Sequence, residues 1–348
     1  MKRKGDDLNI ADLLNLPKIE FEIIPTGIKV LDYMLGGGII NKALTLVTGV
    51  TGSGKSQLML QIAQQFQKHN YEVLYFDIEL AITPSRLQNF GLSNINLVQY
   101  AYSIEEFDSE ILDKLTAYLT NNPNKKLLII IDSFTAMRSE KLLNTAVDDN
   151  MQPGLEAKYL TYLLTKLLKL WSKFPIAVIG SAHLKQNIVL PMQSTHGTLT
   201  DSGYRIPGGA ALQYYTSQLL SLRKKATKSV GNFEIKYVDV KILKNRLAAS
   251  DKVVTLIYSD QEGFYDLLTS LKFLVEEKKI IEQGGSYYIP NLHEKGLRLK
   301  SIIEKYNSDT EFKQKLDNFI EEQLQIIFKP QQEKSLLTQI VDEEVLSN

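Results

Sequence analysis

The run ALTLVTGVTGSGKS, Ala43 to Ser56, constrains this chain more than any other stretch. Ala43 to Thr48 is apolar and β-branched, which predicts a buried strand. The chain then turns through Gly49-Val50-Thr51-Gly52-Ser53-Gly54-Lys55-Ser56, the G-x-x-x-x-G-K-S spacing of a Walker A phosphate loop. Its glycines let the backbone curl with the N–H groups pointing inward, a nest for an anion. Leu58, Ile62 and Phe66 share one face of the segment that follows, so a helix aims its positive N-terminal end at the same point. Gly49, Thr51, Gly52, Ser53, Gly54, Lys55, Ser56 and the adjoining Gln57 are the candidate phosphate contacts. Lys55 reaches the β- and γ-phosphates of ATP, and the Ser56 hydroxyl is a Mg²⁺ ligand.

Composition limits what surrounds this loop. At 348 residues and 44% hydrophobic content, the chain can bury a large core. Lys+Arg and Asp+Glu number 40 each, so no global field draws the protein to nucleic acid, and any such site is local. The absence of cysteine removes disulfides, Cys-zinc sites and thiol catalysis, and suits a reducing cytoplasm. The four histidines, His69, His183, His196 and His293, form no ligand-spaced pair. MKRKGDDLNI lacks the apolar stretch of a signal peptide, and no run is long enough to span a membrane.

In chain order, residues 1 to 24 form an N-terminal segment. Its Ile10, Leu13, Leu14 and Leu16 make a stripe too short to be a stable helix alone, so it docks on its own domain or on a neighbouring subunit. Pro25-Thr26-Gly27 and Gly36-Gly37-Gly38 bracket a short helix. Strands are expected at Glu72 to Asp77, Leu97 to Tyr100, Leu127 to Ile131 and Ile176 to Gly180. Helices are expected from Thr83-Pro84, over Ile104 to Leu119 and over Leu155 to Trp171. Leu219 to Arg223, Phe233 to Leu243 and Val253 to Tyr258 read as adjacent antiparallel strands. After Gly263 the texture turns helical and Lys/Glu-rich, which places a boundary near 260 to 265. The expected domains are 1–24, a core over 25–262, and a small C-terminal domain with tail over 263–348.

Strands alternating with helices at crossover spacing predict an α/β fold, a mostly parallel sheet flanked by helices. Ligands of such sheets sit at the carboxyl ends of the strands. Lys55, Glu79, Asp132 and His183 all fall just past strand ends. LLIIID, Leu127 to Asp132, has the Walker B form, whose carboxylate positions Mg²⁺.

With these motifs in order, the chain resembles the RecA family of strand-exchange ATPases, in particular phage UvsX-type members, from about Pro25 to about Leu324. The resemblance is carried by Thr26-Gly27 with Leu31-Asp32 and Leu35 to Gly38, by Tyr75 to Glu79, and by Leu128 to Ser133. Pro207 to Leu212, Lys241 to Ala249, and Gly263-Phe264-Tyr265 through Gly285 to Tyr288 carry the rest. It implies that Glu79 orients the attacking water, and that His183 senses the γ-phosphate where the family often has Gln. It also implies that Lys244 and Arg246 reach a neighbouring subunit's ATP, as an arginine finger does.

Segments 138–158 and 184–207 resemble the family's two DNA loops. Lys158, Lys185 and Arg205 are offered to phosphates, Ile188 matches an apolar wedge between bases, and the backbone N–H groups of Gly208 and Gly209 can bind a phosphate. The implied partners are single-stranded DNA, homologous duplex DNA, further copies of the chain in a helical filament, a loading mediator and a single-strand-binding protein, with no membrane. The implied setting is a bacterial cytoplasm, that of the host if the chain is phage-encoded.

The chain also departs from the family. Arg86 stands near the place of an adenine-stacking tyrosine, Gln213 where many members carry Lys, and only Asp342-Glu343-Glu344 where bacterial members carry a long acidic tail. Two other functions share this core: a ring-forming hexameric helicase or packaging motor, and an ATP-binding filament protein with little turnover.

Overall fold

The structure is a computed structural model that describes residues 20–92, 94–143, 154–186, 204–207, 210–230, 233–248, 253–292 and 295–329. The stripe at Ile10 to Leu16, Ile188, Gly208, Gly209, Gln186's side chain and the acidic end of the chain lie outside the described residues, as do 144–153 of the first loop segment and 187–203 of the second.

Ile23–Ile24 (β1) and Ile39–Ile40 (β2) pair antiparallel and bracket the helix Lys29–Leu35. Gly36 ends that helix at φ 79°, a left-handed cap that suits glycine because it has no Cβ. Leu44–Gly49 (β3), Glu72–Asp77 (β4), Asn96–Gln99 (β5), Leu127–Asp132 (β6) and Ile176–His183 (β7) form the expected parallel sheet. Lys185–Gln186 (β8) pairs antiparallel with Tyr204–Arg205 (β9). Thr216–Val230 (β10), Phe233–Asn245 (β11), Val253–Ser259 (β12) and Gly263–Phe264 (β13) complete a nine-stranded sheet ordered β13-β12-β11-β10-β3-β7-β6-β4-β5. β10 joins β3 in parallel, and the strands after it run antiparallel.

Period-two alternation divides the core between the two faces of the sheet. In β6, Leu128 and Ile130 join one cluster, with Leu58, Ile62 and Phe66 of the helix Lys55–Lys68. Leu127, Ile129 and Ile131 join the other, with Leu163, Leu164 and Leu167 of the helix Leu155–Lys173. The segment read as one helix from Ile104 to Leu119 is helical throughout, and its middle, Phe107–Leu112, is a π-helical turn.

Beyond β13, the helices Asp266–Glu276, Leu299–Ser308 and Thr310–Phe328 accompany a small antiparallel sheet of Ile281–Gln283 (β14), Ser286–Tyr288 (β15) and Leu297–Arg298 (β16). Phe312, Leu316, Ile320 and Leu324 are buried in the same cluster as Ile28, Leu31 and Leu35. Among the described residues no helix is long and apolar enough to cross a membrane.

Candidate active site

Register brings the strand ends together. Gly49 at the end of β3 pairs with His183 at the end of β7, and Asp77 of β4 pairs with Asp132 of β6. The phosphate loop leaves β3 at a position only glycine can fill: a Cβ on Gly49 would lie 2.3 Å from Ser53 Oγ and 2.6 Å from the Leu222 carbonyl oxygen. Ser53 Oγ is buried within this loop and makes no hydrogen bond. Lys55 Nζ donates to the carbonyl oxygens of Gly49 and Val50, each at 3.1 Å, and lies 3.4 Å from His183 Nδ1. Burial lowers the Lys55 pKa, and the nearby charges of Asp132 and Glu79 act against that.

Asp132 accepts on both oxygens. Oδ2 takes the Ser56 hydroxyl at 2.6 Å and the Tyr75 hydroxyl at 2.8 Å, while Oδ1 takes that of Ser181. One hydroxyl and one carboxylate at this separation fit Mg²⁺, which binds few protein oxygens and completes its shell with phosphate and water. The curled loop, the lysine and the unpartnered Ser53 hydroxyl fit a triphosphate beside it.

Asp77 is fully buried and accepts from the N–H groups of Ala81 (3.1 Å) and Ile82 (2.8 Å) and from Gln99 Nε2 (2.8 Å). Those bonds shape the turn that carries Glu79. Glu79 Oε1 accepts from the Ser133 hydroxyl and lies 2.6 Å from His183 Nε2. The carboxylate only accepts, so Nε2 carries the proton, which leaves Nδ1 facing Lys55 as an acceptor. The bond from His183 lowers the Glu79 pKa most, against partial burial, and Ser133 adds to it.

Arg86 lies at the side of the phosphate loop, where its Nε donates to Gln57 Oε1 at 2.8 Å. Gln57 in turn donates to the Asp260 carbonyl oxygen at 3.2 Å. Tyr258 closes this side: a Cβ on Gly54 would meet its hydroxyl at 3.1 Å. Burial, then the charge of Asp260, raises the Tyr258 hydroxyl to about 12.

Lys244 and Arg246 stand apart from this cluster. Lys244 is level with Leu219 and Leu46, whereas Gly49 is level with Leu222. Lys244 is therefore level with the middle of β3, three residues or about 10 Å back along the strand from the phosphate loop, and Arg246 follows two residues later in the chain. Lys244 Nζ donates to the carbonyl oxygens of Gln213 (2.8 Å) and Tyr214 (3.3 Å), and burial followed by the charge of Arg246 lowers its pKa. Arg246 lies one residue past β11 rather than on the strand, exposed, in a cleft with Lys42, Trp171 and Tyr214. Of the candidate DNA contacts, Lys185 and Arg205 are direct cross-strand partners on β8 and β9, both exposed, and Lys158 is exposed on the helix Leu155–Lys173.

Sequence reading missed Tyr75, Ser133's bond to Glu79, Thr135, Ser181 and Tyr258. Most of these hydroxyls sit within or beside apolar runs, where they look like core filler.

A model of the RecA N-terminal domain family matches residues 3–264. The chain is similar to Protein RecA of Deinococcus radiodurans, at 30% identity over 275 residues, 78% of this chain and 71% of that one. It is similar to Protein RecA of Thermus aquaticus, at 28% over 290 residues (82% and 81%), and of Mycoplasma mobile, at 26% over 291 residues (82% and 84%). A family match over most of its length, on a sheet that gathers the phosphate loop and the Walker B carboxylate at one edge, makes this chain a member of the RecA family of recombinases.

Proposed function

We propose that this protein is a DNA-dependent ATPase that polymerises on single-stranded DNA and exchanges strands with homologous duplex DNA. The observation that carries the reading is the separation of Lys244 and Arg246 from the cluster of Lys55, Glu79, Asp132 and His183. If these two side chains serve a neighbour's ATP, the site is completed by stacking subunits head to tail, and a heterologous contact that does not close runs on as a helix. ATP with Mg²⁺ supplies the phosphoryl group to be transferred when bound. Lys55 would neutralise phosphate charge, Ser56 and Asp132 would hold the metal, and Glu79 would orient a water for in-line attack. His183 bridges Lys55 and Glu79, so it can report the γ-phosphate to both. Lys185 and Arg205 oppose each other across a strand pair, where like charges destabilise. A phosphate backbone between them removes that cost, which supports DNA as their partner.

Two variants separate binding from chemistry. Glu79→Gln should keep ATP and single-stranded DNA binding while turnover falls by about two orders of magnitude. Lys55→Ala should lose nucleotide binding itself. Electron microscopy of the protein on single-stranded DNA with a slowly hydrolysed ATP analogue should show helical filaments. Closed rings would favour the motor reading instead.

A further inference from the structure

Thr135 plays no part in the reading above, yet its hydroxyl lies where the ends of β6 and β7 meet. Phe134 turns into the core over Gly180, so the residues on either side of it, Ser133 and Thr135, turn toward the site. The His183 backbone N–H donates to Thr135 Oγ1 at 3.0 Å. Thr135 Oγ1 and Ser133 Oγ are 3.1 Å apart. Ser133 has one hydroxyl proton, and it goes to Glu79 Oε1, which can only accept. The proton between the two hydroxyls therefore belongs to Thr135. The result is one directed chain: His183 N–H to Thr135, Thr135 O–H to Ser133, Ser133 O–H to Glu79. Each donor polarises the next, which strengthens the final bond to the carboxylate.

From this chain we infer that Thr135 is a positioning residue that couples Glu79 to His183. Ser133, in the turn after β6, and His183, at the end of β7, both bind Glu79 Oε1. Oε2 takes part in neither bond, so the pair rotates the carboxylate to present Oε2 as the water-facing oxygen. Without the Thr135 hydroxyl, the Ser133 oxygen loses its donor and the His183 N–H loses its acceptor. The carboxylate and the imidazole then set their positions independently. The inference rests on the reading of Glu79 as the water-orienting group.

The test uses the full chain on saturating single-stranded DNA, with ATP turnover measured for Thr135→Val, Thr135→Ser and Ser133→Ala. Thr135→Val keeps the shape and removes the hydroxyl. Its kcat should fall about three- to tenfold, the scale of one lost hydrogen bond, with KM for ATP within about twofold of the parent. Thr135→Ser should restore kcat. Ser133→Ala should lose at least as much as Thr135→Val, and the double variant should lose little more than Ser133→Ala alone, because both cut the same chain. If Thr135→Val does not fold, Thr135→Ala carries the same expectations. An unchanged kcat, a loss confined to KM, or losses that multiply as independent effects would each overturn the inference. Glu79→Gln in the same assay keeps the two readings apart. If it is inactive while Thr135→Val turns over normally, only the positioning role fails; if it stays active, the role of Glu79 fails and the coupling with it.

Discussion

Asp32, in the helix Lys29–Leu35, carries a strongly disturbed carboxylate outside the candidate active site. Its Oδ1 accepts from the Thr26 N–H at 2.6 Å and the Thr26 hydroxyl at 2.7 Å. Burial nevertheless raises its pKa to about 7, and the charge of Asp266 adds to that against the bonds from Thr26. The unfolded carboxyl gives up its proton near pH 4. Between about pH 4 and pH 7 the folded chain thus holds a proton that the unfolded chain does not, and stability falls as pH rises through that window. Asp32→Asn keeps an oxygen for both Thr26 donors and removes the charge. It should be more stable than the parent at pH 8, by on the order of 1–2 kcal/mol, and equal to it near pH 4. Urea midpoints at the two pH values check this, and an equal loss at both would show that the charge itself is stabilising. The same contrast explains which residues could be read in advance. Lys55, Glu79, Asp132 and His183 are polar groups at the ends of apolar runs, so the pattern exposes them. Tyr75 lies inside such a run and Ser181 directly after one, and their pairing with Asp132 depends on register between distant strands, which no local pattern encodes.

Strands buried on both faces were the most legible elements, because an unbroken apolar run bounded by turn residues has few other uses. Glu72–Asp77 and Leu127–Asp132 fall where expected, to within a residue. Thr216–Val230 extends well past Arg223, where the expected strand stops because the continuation KKATKSV is polar. Its strand character comes from pairing with β11 all the way to Val230 with Phe233, and that partner is invisible to a hydrophobic window. The π-helical turn at Phe107–Leu112 is hidden for a similar reason: one register change leaves the apolar spacing almost intact. The contact between β7 and the turn after β6 gives a direct test at this scale. A Cβ on Gly180 would lie 2.2 Å from the Phe134 ring, and Phe134 separates the two hydroxyls that lead to Glu79. Gly180→Ala should therefore destabilise the fold by roughly 1–3 kcal/mol, the usual range for overpacking. At temperatures where it stays folded, its kcat should fall while nucleotide binding persists. Wild-type stability in urea would mean that the ring has room to move and that this packing does not set the position of Ser133.

At the scale of the whole molecule, the proposed function needs a chain with zero net charge, whose Lys244 and Arg246 stand apart from its phosphate loop, to respond to DNA. The C-terminal helices are tied to the start of the core. Lys29 Nζ lies 3.0 Å from both Asp266 and Asp317, and Tyr306 donates to Asp317 at 2.9 Å. This holds the helix Lys29–Leu35, and Asn245 Nδ2, next to Lys244, donates to the Leu35 carbonyl oxygen at 3.0 Å. Lys244 is thus mounted on a braced segment, and Lys244 and Arg246 both lie apart from the chain's own phosphate loop. If they served their own subunit, turnover would not depend on protein concentration. If they complete a neighbour's site, DNA activates the enzyme by lining subunits up, and no separate switch is required. An arginine finger supplies ~10³–10⁵ in rate. Arg246→Ala should therefore bind ATP almost normally and hydrolyse it poorly on DNA. Glu79→Gln is defective at the opposite half of the site. In a mixture of the two, some interfaces join an intact Glu79 to a neighbour's intact Arg246, and turnover should reappear with a maximum at an intermediate ratio. If the two variants co-assemble on DNA and no ratio restores turnover, the active site belongs to one chain alone, and the head-to-tail proposal falls with it.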